Sequence, residues 1–191
     1  MDDKKEKRIF ISLPISDDLR EKIFLWREDF LRKNSNLKDS FKIRWLEGKN
    51  LHITIIPPWY EKDTLKIENR ISQVIKEFKP FGVVFEKIEL GPSPFSLRLI
   101  WLSGNVPKEI LDLKKRLEDA LDIKPERRPF KLHLTIARFN PNDFLSSGIK
   151  RVEEKIFWQE KISSLLIMES HLLKSGADYE ILKKFDFYEN R

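Results

Sequence analysis

A chain of 191 residues holds one compact domain, or two small lobes sharing a core, more readily than two independent domains. An apolar fraction of 40%, with 14 Phe and 5 Trp, supplies enough surface for a buried core, and 36% charged residues cover the outside. The absence of Cys excludes disulfides, thiolate catalysis and Cys-based zinc sites, and three His leave little material for a transition-metal centre. The net charge of +6, from 37 Lys and Arg against 31 Asp and Glu, is spread along the chain and suits either a solvated surface or a polyanionic partner. No apolar run approaches the roughly 20 residues that span a bilayer, and the charged stretch Met1 to Arg8 has no apolar segment behind it. The expectation is a cytoplasmic protein with no membrane association.

In chain order, Arg8 to Leu13 reads as a strand, and Pro14 with Ser16, Asp17 and Asp18 starts a helix whose apolar face is Leu19, Ile23, Trp26 and Phe30, ending near Asn34. Phe41, Ile43 and Trp45 alternate with Lys42 and Arg44, and the turn at Gly48 to Asn50 precedes a strand from Leu51 to Ile56 that Pro57 and Pro58 should stop. Asp63 caps a helix with the face Ile67, Ile71, Val74, Ile75 and Phe78, closed by Pro80. Strands are expected near Val83 to Leu90 and Leu97 to Leu102. Pro107 reads as the first residue of a helix with the face Ile110, Leu113, Leu117 and Leu121, and Lys131 to Phe139 as a further strand. Ser164 to Ser170 and Tyr179 to Phe187 form a hairpin around the loop Lys174 to Asp178. The alternation gives an α+β chain with a half-repeat: helix, strand with histidine, helix, strands, then again helix and strand with histidine.

Two segments nearly copy each other: Leu51-His52-Ile53-Thr54-Ile55 and Leu132-His133-Leu134-Thr135-Ile136. In a strand, alternate side chains share a face, so the apolar residues point inward while each histidine lies beside its threonine on the other face. The chain has three His and three Thr, and two His followed by Thr at this spacing would arise from composition roughly once in a thousand such sequences. Two facing imidazoles can deliver and remove protons on opposite sides of a phosphorus atom, since histidine titrates near neutrality and one can be neutral while the other is charged. The hydroxyls of Thr54 and Thr135 can donate to non-bridging phosphate oxygens, and Arg138 is the candidate cation to offset the charge that develops there. Strict alternation would put Arg138 on the buried face with Leu134 and Ile136, so it serves only if the strand twists or ends before it.

Paired His-x-Thr motifs about eighty residues apart resemble the two-histidine phosphoesterase superfamily. The flanks resemble its RNA 2′,3′-cyclic phosphodiesterase branch, long called 2′-5′ RNA ligases: Arg8 to Ile11, Arg44-Trp45, Arg98 to Trp101, Arg128 to Phe130, His133 to Arg138, Met168 to Ser170 and Gly176 to Glu180. The resemblance covers nearly the whole chain. It implies a bilobal α+β fold with a pseudo-twofold axis, two antiparallel sheets lining a central cleft with helices outside, over residues 1–191 as a single two-lobed domain. It implies hydrolysis of RNA 2′,3′-cyclic phosphate ends to 2′-phosphomonoesters, with His52 as proton donor and His133 as proton acceptor, without a metal or other cofactor. The reverse reaction would be 2′-5′ ligation. The partner implied is RNA with a cyclic phosphate terminus, tRNA fragments among them, and the expected state is a monomer. Two departures stand out: Leu132 occupies a position that is often Pro, and Ile56 to Tyr60 replaces a Lys-Phe-Leu-Gly-like run, so no substrate contact is carried onto that loop.

Other readings stay open at this point: a phosphodiesterase for small cyclic nucleotides or ADP-ribose cyclic phosphate, and a non-catalytic RNA-binding module. His171 lacks a Thr partner and is assigned to the surface. Lys42, Arg44 and Arg98 are candidates for phosphate contact, and Trp59, Tyr60 and Phe139 for stacking on a base, against the ordinary alternatives of solvated strand faces and core.

Overall fold

The computed structural model describes residues 5–35, 42–93, 95–146, 152–173 and 176–188. Nine strands, four α-helices and one short 3₁₀ turn are found among them: β1 (Lys7–Pro14), α1 (Asp17–Lys33), β2 (Ile43–Trp45), the turn Gly48–Asn50, β3 (His52–Glu61), α2 (Thr64–Ile75), β4 (Phe81–Gly91), β5 (Leu99–Gly104), α3 (Lys108–Leu121), β6 (Leu132–Phe139), α4 (Pro141–Ser146), β7 (Glu153–Ile162), β8 (Ser164–Leu173) and β9 (Gly176–Asp186). The expected start of the second strand at Phe41, and Lys174 and Ser175 of the hairpin loop, lie outside the described residues.

The strands form two antiparallel sheets, one in the order β3-β1-β8-β9 and the other β2-β6-β5-β4-β7. Set β2 aside and the two orders match place for place, β3 with β6, β1 with β5, β8 with β4 and β9 with β7. Each histidine strand is thus paired with an earlier strand of its own half, which is the pseudo-twofold arrangement expected of the half-repeat. The fold matches the expectation in its class, α+β, and in its two sheets.

The two lobes share one apolar cluster that runs through Ile9, Ile11, Leu13, Ile53, Ile55, Phe85, Leu102, Leu113, Leu134 and Ile167, all no more than 1% exposed. At roughly 1.5 to 3 kcal/mol for each fully buried large aliphatic or aromatic side chain, this cluster dominates what holds the sheets together. Helix α3 packs behind β3, where the buried Lys114 Nζ donates to the Ile55 carbonyl at 3.3 Å and pairs with Glu118 at 2.7 Å. The first histidine strand is therefore backed by a helix of the second half. Helix α1 begins where the Ser16 side chain accepts from Leu19 N at 3.2 Å. Glu160, 5% exposed, accepts from both Ser16 N (2.9 Å) and Ser16 Oγ (2.7 Å).

Three sequence expectations need correction. Pro57 and Pro58 do not end β3, which continues to Glu61. Because β3 is the edge of its sheet and a register shift between Ile9 and Ile11 leaves no partner opposite the two prolines, their missing N–H groups interrupt nothing. Pro107 sits at the N-cap with extended backbone, one residue before the helix. Residues 141–146 and 153–162, unassigned above, form α4 and β7; β7 hides its strand character because Phe157 is 70% exposed while Glu160 points inward.

Candidate active site

Strands β3 and β6 run alongside each other where the two sheets meet. A cleft of about 420 Å³ opens there, and His52, Thr54, His133, Thr135 and Arg138 all line it, together with Arg8, Phe10, Arg44 and Tyr179. All five residues singled out from the sequence are thus brought to one place.

The phase that puts Arg138 in the cleft comes from a bulge. Trp101 of β5 lies opposite Thr135, but its neighbour Ile100 lies opposite Ala137, so β6 carries one extra residue between them. Ile136 and Ala137 are consequently both buried, at 1% and 0% exposed, and alternation resumes one step later with Arg138 on the face of His133 and Thr135. Strand β3 repeats the device: Ser12 lies opposite Thr54 and Ile11 opposite Ile56, and Ile55 and Ile56 are both buried. The residue at Arg138's place in that copy is Pro57, so the cation of the pair of motifs belongs to the second lobe alone.

Both imidazoles are oriented in the same way. His52 Nδ1 lies 2.8 Å from the Asn50 carbonyl, and His133 Nδ1 lies 2.9 Å from the Lys131 carbonyl. A carbonyl oxygen only accepts, so Nδ1 carries hydrogen in each ring and Nε2 is the atom that titrates. His52 Nε2 is 3.1 Å from Thr54 Oγ1, which donates to it while the ring is neutral. Phe10 (5.0 Å between centroids) and the edge-on Tyr179 (5.2 Å) wall in His52, and Trp101 lies 4.8 Å from His133.

Burial pushes the His52 imidazole down to about 4, and Arg138, with His133 whenever that ring is protonated, pushes the same way against the Asn50 hydrogen bond. His133 is also held below the usual range, chiefly by burial, with Lys131 and Arg138 adding to it. In the free protein both rings are therefore neutral at pH 7, whereas the sequence suggested one neutral and one charged.

Of the other sequence candidates, Arg44 reaches the cleft, while Lys42 and Arg98 are exposed away from it. Phe139 is core at 7% exposed and Trp59 packs against the core, while Tyr60 is 62% exposed. His171 lies 3.3 Å from Glu180 in a partly exposed pair. With Glu169 these two bring one ligand atom each within 4.8 Å of one another, but none of the three lines the cleft, and Lys7 Nζ holds Glu169 at 2.6 Å. Sequence reasoning did not assign Arg8, Phe10, Tyr179 or Trp101 to the site. Arg8 Nη1 donates to Ser170 Oγ at 2.6 Å across β1 and β8, a pairing no local pattern announces.

The Trp101 platform depends on Gly91. A Cβ at position 91 would fall 2.5 to 2.8 Å from three carbons of the indole, which is rigid and has the His133 ring on its surface. Gly91→Ala is expected to cost about 1 to 3 kcal/mol of stability through overpacking and to lower activity as His133 is displaced. A thermal melt and a rate measurement on the same sample check both.

The profile of the 2′-5′ RNA ligase superfamily matches residues 26–174. An RNA 2′,3′-cyclic phosphodiesterase of Archaeoglobus fulgidus is 27% identical over 184 residues, covering 94% of this chain and 99% of that protein. One from Methanocaldococcus jannaschii is 25% identical over 184 residues, covering 93% and 99%. Among solved structures, TT0787 of Thermus thermophilus has a TM-score of 0.73 at 17% identity, covering 94% of this chain and 97% of that one. E. coli LigT complexed with 3′-AMP has a TM-score of 0.68 at 20% identity, covering 97% and 100%. With the family profile matching most of its length, this protein belongs to the 2′-5′ RNA ligase superfamily.

Proposed function

We propose that the chain is an RNA 2′,3′-cyclic phosphodiesterase, a single two-lobed domain that opens cyclic phosphate ends to 2′-phosphomonoesters by general acid–base catalysis from His52 and His133. The observation that carries this reading is the matched orientation of the two rings: a backbone carbonyl occupies Nδ1 of each, leaving two Nε2 atoms at one cleft beside Arg138. The names of the curated relatives, RNA 2′,3′-cyclic phosphodiesterases, support the same substrate.

In this scheme His133 Nε2 takes a proton from water as the water oxygen attacks phosphorus. The P–O3′ bond breaks, His52 Nε2 delivers its proton to O3′, and exchange with solvent returns both rings to their starting states. Each transfer contributes typically 10²- to 10⁴-fold, so two imidazoles supply the chemistry between them. Thr54, Thr135 and Arg138 hold the non-bridging oxygens. The bound cyclic phosphate brings a negative charge to a site where burial has suppressed protonation, and so raises the His52 pKa toward the value an acid needs. An RNA 5′-hydroxyl in place of water, losing its proton to His133 as O3′ leaves with the proton of His52, would give a 2′-5′ linkage by the same steps.

The test is conversion of a short oligoribonucleotide ending in a 2′,3′-cyclic phosphate, with EDTA present, product position determined, from pH 4 to 8. A 2′-phosphate is expected. The active form holds one proton on the pair, and both rings are pushed below 6.5 in the free site. The kcat/KM maximum therefore lies on the acidic side of 6.5, the rate falls about tenfold per pH unit beyond the basic limb, and the kcat profile is displaced upward. No turnover by folded protein would remove the reading, and a 3′-phosphate product would mean that O2′ leaves instead.

A further inference from the structure

Each histidine strand carries a bulge, and the residue it adds is Ile55 in β3 and Ile136 in β6. The added residue is left out of the ladder, so its buried carbonyl needs a donor from elsewhere. The two lobes supply that donor differently. In the second lobe Leu46 N, one residue past β2, donates to the Ile136 carbonyl at 2.9 Å. Strand β3 is the edge of its sheet and has no strand in the place of β2 among the described residues. There the donor is a side chain, Lys114 Nζ of α3, 3.3 Å from the Ile55 carbonyl.

Stability alone does not account for a lysine at this place. Lys114 is 8% exposed and pairs at 2.7 Å with Glu118, which is 7% exposed, while the half-exposed Glu126 comes no nearer than 3.7 Å. Taking an ammonium and a carboxylate out of water costs free energy that their attraction barely offsets, and apolar side chains of similar volume often hold a core as well or better. An apolar side chain, however, cannot donate to Ile55. Ile55 directly follows Thr54, whose hydroxyl lies 3.1 Å from His52 Nε2, so the place where the Ile55 carbonyl is held sets how Thr54 meets the ring.

We propose that Lys114 is a positioning residue for the reaction: from a helix of the second half it holds the β3 bulge, and with it Thr54 against His52, while Glu118 keeps the ammonium in place. Lys114 does not line the cleft and acts only through these residues. The inference rests on the phosphodiesterase reading for its kinetic consequence. Strand β6, whose bulge has a backbone donor, needs no such side chain.

Lys114→Met alone would leave Glu118 buried without its cation and would confound placement with stability. The double variant Lys114→Met/Glu118→Met removes both charges at similar volume, and it is expected to fold and to melt no lower than the intact protein. Its kcat for cyclic phosphate opening should fall about ten- to a hundredfold with KM nearly unchanged, the scale for misplacing a reacting group by about 1 Å. In the substrate-free protein, nitrogen NMR of the imidazoles should show the His52 Nε2 signal moved as the Thr54 contact loosens. The His133 Nε2 signal should stay, because β6 keeps its Leu46 donor. A folded double variant with undiminished kcat, or with an unmoved His52 signal, would overturn the role. So would equal movement of both signals, which is general loosening, or failure of the double variant to fold, which would make the pair a requirement of the fold itself. If the intact protein opens no cyclic phosphate, the phosphodiesterase reading falls, and the nitrogen signals still decide whether Lys114 sets the contact between Thr54 and His52.

Discussion

Replacing either His52 or His133 with alanine is expected to lower kcat for cyclic phosphate opening by about 10²- to 10⁴-fold, the range for loss of one positioned acid or base. The two losses should not add. Once one transfer is gone the other ring has no concerted partner, so the double variant should resemble the worse single one. The environments give each ring a distinguishable signature. His52 sits between Phe10 and Tyr179 with Thr54 on its Nε2, so truncation leaves a void walled by aromatics. His133 lies over Trp101, and its loss uncovers an indole whose Nε1 already lacks a partner among the described residues. His52→Asn and His133→Asn keep a polar group near the same carbonyls and separate a folding defect from a chemical one. The measurement is single-turnover hydrolysis of a cyclic phosphate-ended oligonucleotide, with circular dichroism on each variant. A variant that stays folded and keeps more than about a tenth of the rate would remove that histidine from the proton transfers.

The histidines were legible because strand alternation is the simplest periodicity a sequence carries: an apolar residue on every second position leaves His and Thr together on the other face. The same logic misplaced Arg138, since it assumes an unbroken alternation. The trace of the bulge is nevertheless in the sequence. Thr135 is followed by two successive apolar residues, Ile136 and Ala137, and Thr54 by Ile55 and Ile56, where a regular half-buried strand would place one. Read with that rule, both copies flip phase after the second apolar residue, and Arg138 comes out on the cleft side.

What local pattern could not supply is everything that arrives from a distant strand. Tyr179 meets His52 because β9 pairs with β8, β8 with β1 and β1 with β3, three steps of sheet topology. Residue Glu160 points inward from β7 because it meets the exposed end of α1 at Ser16, and that contact erased the alternation by which β7 would have been recognised. The charge state of the site was hidden for the same reason. Histidine's ordinary pKa suggests one charged ring, and only the tertiary burial of both rings makes them neutral in the free protein.

The second large effect is expected at Arg138. Removing one preorganised donor from a site where charge develops typically costs about 10²- to 10³-fold in kcat, and Arg138→Gln is expected to fall in that range, with a smaller change in KM. The argument is the asymmetry of the two motifs. The first lobe has Pro57 at the corresponding place, and the cation it does bring to the cleft, Arg8, is held by Ser170 Oγ at 2.6 Å. Arg44 stands opposite Arg138 on β2 with its guanidinium against Gly176. Lysine keeps the charge but loses the planar fork that meets two phosphate oxygens at once, so Arg138→Lys should recover only part of the rate. Loss of Arg138 also removes a cation that helps hold both imidazoles down, and the kcat/KM optimum should therefore move to higher pH even as its height falls. That shift distinguishes a cation in electrostatic contact with the two rings from a side chain that only shapes the groove. An Arg138→Gln enzyme with an unmoved pH optimum and a loss confined to KM would show that Arg138 grips the RNA backbone alone and leaves the developing charge at phosphorus to Thr54 and Thr135.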